Sequence, residues 1–197
     1  MTRRMVAVHA TALVAADTLE AAMLEDVVDL VAEMQHVDGA LVAVDPAQDA
    51  ARAVAWPGMP VLVAADATAA AGLAALAAAG ADEGALVSAD VPELPALLLG
   101  KLFSALTSAE VAVCPADSGA LVALASRLPA PEWLTELRLS LDAPDALDRL
   151  RGAAPRRALH VGSGWHRVSG VADAMRLDPG LEGWEATRAW LAIRPAR

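Results

Sequence analysis

Carboxylates stand at the ends of several short apolar runs in this sequence. Asp45 follows Gly39–Val44, Asp66 follows Pro60–Ala65, Asp90 follows Gly84–Ala89, and Asp117, leading into Ser118 and Gly119, comes shortly after Glu110–Cys114. Such a group is a hard oxygen ligand, better matched to a divalent ion such as Mg²⁺ or Mn²⁺ than to a bare phosphate. Asp90 is the sharpest case, because Pro92, Glu93 and a leucine series follow it directly. Two roles compete for it: a carboxylate holding a metal bound to a nucleotide diphosphate, or a helix N-cap with Glu93 closing a capping box. The second unusual stretch is His160-Val-Gly-Ser-Gly-Trp165-His166-Arg167. It reads either as a loop that stacks a base or sugar on Trp165 and holds a phosphate with Arg167, or as a tight turn anchored in the core by Trp165. His160 and His166 lack the spacing of zinc ligands.

The elements that would position these residues alternate between apolar runs and helical stretches, the pattern of βαβ units and a parallel sheet. The runs are 5–10, 39–44, 60–65, 84–89, 110–114 and 119–125, with a weaker one at 157–161. They are continuously apolar, as strands covered on both faces should be. Asp17-Thr-Leu-Glu20 predicts a capped helix start, with Leu19, Met23, Val27, Leu30, Val31 and Met34 on one face and an end at His36 to Gly39. Further helices are expected over Ala67–Ala79 after Asp66, from Asp90 with Leu94, Leu98, Leu102 and Leu106 in phase, and over Pro131–Arg138, Pro144–Leu150 and Gly180–Leu191. The expected fold is therefore α/β: one domain spanning 1–197, a Rossmann-like, mostly parallel sheet with helices on both faces. Ligands in such sheets bind outside the carboxyl ends of the strands, which singles out Ala10 to Leu13 together with the strand-end aspartates.

Composition narrows the classes. A net charge of −10 excludes a nucleic-acid binder, which needs clustered Lys and Arg. The densest arginine group, Arg149, Arg151, Arg156 and Arg157, reads as a solvated helix end and loop. The single cysteine, Cys114, excludes an internal disulfide and reads as a small core residue. The apolar N-terminal stretch resembles a signal peptide, but His9 and Thr11 interrupt it and a capped helix follows, so it reads as the first strand. No apolar run is long enough to span a bilayer, and a cytoplasmic protein is expected.

The segment Leu86-Val-Ser-Ala-Asp90-Val-Pro-Glu-Leu94-Pro resembles the strand-Asp-x-Pro-x-Leu turn of GT-A nucleotide-diphospho-sugar transferases, in particular a bacterial glycosyltransferase-like branch near the phospholactate guanylyltransferases. Val113-Cys-Pro-Ala-Asp117-Ser-Gly119 is similar to the branch's Pro-Ala-x-Asp-Gly-Gly. Ala21-Ala-Met-Leu-Glu-Asp26 resembles its first long helix. Leu139-Ser140 with Pro144–Gly152 resembles its late serine and the helix that follows. The resemblance implies a GT-A-like sheet and a transferase moving a nucleotidyl or glycosyl group from a nucleotide or nucleotide sugar with Mg²⁺ or Mn²⁺. Asp90 would hold the nucleotide-bound metal. Asp117, Ser118 and Gly119 would line the acceptor side, with Thr11, Ser88, Trp165, Arg167 and Asp173 as further nucleotide or substrate contacts.

The chain also departs from that pattern. The loop after the first strand, His9-Ala10-Thr11-Ala12-Leu13-Val14, has no Gly, Arg or Lys to cradle phosphates. Lys101 falls inside a helix, and Arg3 and Arg4 lie at the wrong end of the strand. In Arg167-Val168-Ser169-Gly170-Val171-Ala172-Asp173, Ser169 stands where the branch carries a second metal aspartate, and only Asp173 is kept. Ser118 replaces a glycine, which narrows the approach of backbone to a ligand. The alternative expectation is accordingly a non-catalytic relative, a binding or scaffold subunit meeting a protein partner or a second copy through Trp184 and Trp190 of its C-terminal stretch.

Overall fold

The computed structural model describes residues 2–12, 15–45 and 47–193. Among them the strands are β1 (Arg4–Ala10), β2 (Asp38–Ala43), β3 (Val61–Val63), β4 (Glu83–Ser88), β5 (Val111–Pro115), β6 (Leu121–Arg127) and β7 (Leu159–Val161). The helices are α1 (Leu19–Glu33), α2 (Gln48–Val54), α3 (Ala69–Ala78), α4 (Ala96–Ala105), α5 (Glu132–Glu136), α6 (Ala146–Ala153), α7 (Val171–Ala174) and α8 (Glu185–Ile193). Every apolar run of the sequence forms a strand, and together they make one sheet of order β3-β2-β1-β4-β6-β5-β7. β6 runs antiparallel to both neighbours, β4 and β5, and every other pairing is parallel. The carboxyl ends of β1, β4 and β5 therefore emerge at the same edge as the start of β6.

Alternate residues of each strand enter opposite cores. Val6, Val8, Ala85, Val87, Ala112 and Val122 pack under α1 and α4. Met5, Ala7, Leu86, Val111, Val113, Leu121 and Leu124 pack under α3, α5 and α6. Full burial of a Val or Leu side chain contributes about 1.5–3 kcal/mol, which is why strands covered on both faces are apolar throughout. The alanine-rich α3 lies very close to the sheet: a Cβ on Gly72 would come within 2.8 Å of Leu86 Cδ1. A third cluster of Leu19, Met23, Val168, Ala174, Leu177 and Trp184 fastens the C-terminal segment to α1.

The helix starts correct the sequence in three places. Thr18, not Asp17, caps α1, accepting the Ala21 amide at 3.2 Å. Thr68 caps α3, with Asp66 accepting the Thr68 amide and hydroxyl. The stretch after Asp90 is a tight turn through Glu93, and α4 begins only at Ala96. Asp90 is consequently not an N-cap. The short helices α2 and α7 have no counterpart in the sequence expectations. Trp184, expected as a candidate partner surface, is buried, with Arg188 stacked on its ring 4.5 Å from the centroid. Trp190 is half-buried and donates from Nε1 to Asp17 O. No helix among the described residues is long and apolar enough to cross a membrane.

Candidate functional site

Two cavities open at the carboxyl edge of the sheet and meet at three side chains, Asp90, Asp142 and Arg167. The first, of about 280 Å³, lies on the β1 side and is lined by His9, Thr11, Glu20, Met23 and Ser88 besides those three. The second, of about 410 Å³, lies on the β5–β6 side and is lined by Asp117, Ser118, His166 and Ser169 with the same three. A wider groove of about 560 Å³ between α1, α2 and α8 is lined mostly by alanines, with Trp190 and Ile193; it gathers no comparable set of polar groups.

Asp90 sits two residues beyond the end of β4. Ser88 Oγ donates to its Oδ1 at 2.8 Å, and Arg167 Nε donates to Oδ1 and Oδ2 at 2.8 and 3.0 Å. Arg167 Nη2 lies 2.8 Å from Asp90 Oδ2 and 2.6 Å from Asp142 Oδ1. Its Nη1 donates to the Leu141 carbonyl at 3.3 Å and, at the limit of contact, to Leu121 at 3.5 Å. Every nitrogen of the guanidinium is thus engaged by the protein. Burial works against the Arg167 charge, but the hydrogen bonds and charge of Asp90, then those of Asp142, outweigh it and hold its pKa above the ordinary arginine value.

Arg167 reaches Asp90 because the turn after β4 clasps the late segment. Val168 N donates to Asp90 O at 2.9 Å. His166 Nε2 lies 2.7 Å from Glu93 Oε1, and Asp178 N donates to Glu93 Oε2 at 3.2 Å. Glu93, expected to close a capping box, instead ties down residues 166 and 178 with a side chain only 4% exposed.

His9 occupies the end of β1, in register with Ser88. It is buried, and its Nε2 has no hydrogen-bond partner. Burial lowers its pKa to about 4, with the charge of Asp142 pulling the other way, so the ring is neutral near pH 7.

Of the residues expected from sequence, the cleft gathers Thr11, Ser88, Asp90, Asp117, Ser118 and Arg167. Three others are placed elsewhere. Gly119 holds φ +87° in the turn before β6, where a Cβ would lie 2.2 Å from the Pro144 carbonyl oxygen; it serves close backbone packing and lines neither cavity. Trp165 packs against the α1–α4 core, its amide bonded to Pro115 O and its ring stacked on His166 at 5.1 Å between centroids. Asp173 accepts the amide and hydroxyl of Ser169 and pairs with Arg176, closing the first turn of α7. Leu13 and Val14 of the β1 loop lie outside the described residues. Sequence reasoning missed Asp142 and His9 as site residues. Asp142 follows no strand, and its only local sign is an Asp-Ala-Pro-Asp145 run that reads as a helix start.

A metal shared by Asp90 and Asp142 does not fit this arrangement. An ion shared by Asp90 and Asp142 would sit within about 2.6 Å of both carboxylates, and Arg167 Nη2 already stands 2.8 and 2.6 Å from them. Among the described residues, no three His, Cys, Asp or Glu side chains converge as a ligand set.

No family model and no curated protein sequence matches the chain. Solved structures do. The chain is similar to a protein described as a nucleotide-diphospho-sugar transferase from Desulfovibrio desulfuricans G20 (TM-score 0.70, 16% identity, 98% of this chain and 97% of that one). It is also similar to CMP:2-keto-3-deoxy-manno-octonic acid synthetase complexed with CTP (TM-score 0.61, 13% identity, 98% and 99%). A third similar structure is Rv0371c from Mycobacterium tuberculosis H37Rv complexed with manganese (TM-score 0.61, 21% identity, 91% and 100%). The fold is therefore the Rossmann-like α/β fold of nucleotidyltransferases and nucleotide-diphospho-sugar transferases.

Proposed function

We propose that this chain binds a nucleotide or nucleotide sugar in the two-lobed cleft and acts as a nucleotidyl- or glycosyltransferase-like protein. The donor would occupy the lobe beside Thr11 and Ser88, and the acceptor the lobe beside Asp117 and Ser118. The observation that carries this reading is the meeting of two open lobes at Asp90, at the strand ends where this class of sheet binds ligands. In the lobe beside β1, Thr11 and Ser88 supply hydroxyls, and neutral His9 supplies an imidazole whose Nε2 has no partner. These groups suit a base or sugar better than a polyphosphate.

One observation favours a second reading, a non-catalytic relative that binds without turnover. Arg167 is the only Lys or Arg lining either lobe among the described residues, and it is outnumbered by Glu20, Asp90, Asp117 and Asp142. A single preorganised charge-stabilising group is worth about 10²–10³ in rate, and among the described residues no Lys or Arg lining the lobes is free to turn to a transferring phosphate.

The test is a thermal-shift panel of the four ribonucleoside triphosphates, UDP-glucose and GDP-mannose, followed by assays for pyrophosphate or nucleoside diphosphate release. Stabilisation by a probe, lost in Thr11→Trp, which fills the β1-side lobe, supports ligand binding. Product release then supports the transferase; stabilisation without product supports the second reading. No stabilisation by any probe at about 10 mM, where even a millimolar complex gains about 1.4 kcal/mol, would defeat both.

A further inference from the structure

We infer that the Arg167 guanidinium is the resident cation of this cleft, standing in the place a divalent metal would need, so that the cleft excludes Mg²⁺ and Mn²⁺ and binds its ligand independently of them. The inference rests on the proposed cleft but concerns its charge balance, which the fold class does not dictate.

The geometry carries it. Asp90 and Asp142 come from distant segments and converge on one point, as carboxylates sharing a cation do. That point is filled by Nη2 of Arg167, at 2.8 and 2.6 Å. The other guanidinium nitrogens are fixed as well: Nε on Asp90, Nη1 on the carbonyls of Leu121 and Leu141. A planar guanidinium satisfied on all its edges is pre-organised and cannot be deprotonated near pH 7. Its backbone is also held, because Val168 N donates to Asp90 O and Glu93 clasps His166. Swinging the guanidinium aside to admit an ion would break its contacts to Asp90, Asp142 and both carbonyls together. Two residues beyond Arg167 the cleft lining is not acidic either: Ser169 stands there, engaged with Asp173.

The arrangement also says how a ligand is met. With its N–H groups committed, Arg167 offers a phosphate little direct hydrogen bonding. A nucleotide would be held through its base and sugar by the groups on the β1 side, and chelation of free metal would not weaken it.

The experiment measures metal on the protein itself. Mn²⁺ is titrated into wild type and into Arg167→Met, with bound ion read from loss of the free-ion electron spin resonance signal. Wild type is expected to leave the signal unchanged at millimolar protein, and Arg167→Met to bind at least about tenfold more tightly, a difference of about 1.4 kcal/mol. Binding by wild type that disappears in Asp90→Asn would overturn the inference. So would failure of a folded Arg167→Met to bind, since the guanidinium would then not be what keeps the ion out. Should that variant not fold, wild type alone decides: the Arg167 Nε–H resonance is expected to be protected and unmoved by Mg²⁺, and its displacement by Mg²⁺ would overturn the inference. Neither readout uses a nucleotide, so failure of nucleotides to bind would count against the proposed function only.

Discussion

Asp26 and His9 oppose one another in the pH dependence of stability. Asp26 lies buried on α1 and accepts the amides of Ala186 and Thr187 at 2.8 and 2.9 Å. Burial raises its pKa to about 6, although those amides pull it down. The folded state therefore holds this proton more tightly than the unfolded chain, and the resulting stability is full below about pH 4 and lost by about pH 6. His9 does the reverse. Its pKa falls to about 4, so stability is lost as the pH drops from about 6.5 to about 4. Each effect is worth roughly 3 kcal/mol from its shift, and they cancel over a shared window. Urea unfolding from pH 4 to 6.5 is expected to show a nearly flat wild type, falling stability with rising pH in His9→Gln, and rising stability in Asp26→Asn. The same slope in both variants would contradict the assignment. A second residue-scale prediction concerns Gly119. Gly58 and Gly119 share a positive φ, +86° and +87°, but only Gly119 faces a backbone oxygen at Cβ distance. Gly58→Ala should cost about 1–2 kcal/mol, and denaturation should show Gly119→Ala costing at least about 1 kcal/mol more, because the Pro144 backbone must move. Asp90, Thr11 and Ser118 could be found from sequence because each lies within three residues of a strand's end. The Asp90–Arg167 pair could not, since its members stand 77 residues apart and nothing local in either segment names the other.

At the level of elements, the turn from Asp90 to Glu93 takes the place of an expected helix start and clasps the late segment instead. The sequence Asp-Val-Pro-Glu satisfies the capping pattern, but its carboxylates are drawn to Arg167, His166 and the Asp178 amide, and α4 begins later. Long-range charge and burial override a local preference worth about 1 kcal/mol. Glu93→Ala should leave the Asp178 amide and His166 without their acceptor, at a cost of about 1–3 kcal/mol. Hydrogen exchange should accelerate over residues 166–178 and leave β1 and β4 protected. Uniform acceleration across the sheet would contradict the clasp. The strands were legible because full burial demands unbroken apolar runs, and the long helices because their caps and leucine spacing are local. α2 and α7 were not, since 7 and 4 residues give too little periodicity to distinguish a helix from a loop.

For the whole molecule, one antiparallel strand in an otherwise parallel sheet brings the end of β5 and the start of β6 to the edge where β1 and β4 also end. That edge carries a cleft in two lobes, with an internal salt bridge at their junction. The net charge of −10 and the carboxylates around the lobes disfavour polyanions held by charge alone, so in the proposed reading recognition would fall to hydroxyls, imidazole and shape. The central claim is that this cleft takes a nucleotide or nucleotide sugar. Amide and arginine Nε–H resonances of the isotope-labelled protein, followed while CTP, GTP and UDP-glucose are added in turn, test it most directly. The account predicts that one of these probes moves signals of Thr11, Ser88, Asp90, Ser118 and Arg167 together, to the same extent with magnesium or with chelator. Shifts confined to the groove around Trp190, or no shift with any of the three at about 10 mM, where even millimolar complexes are well populated, would contradict it.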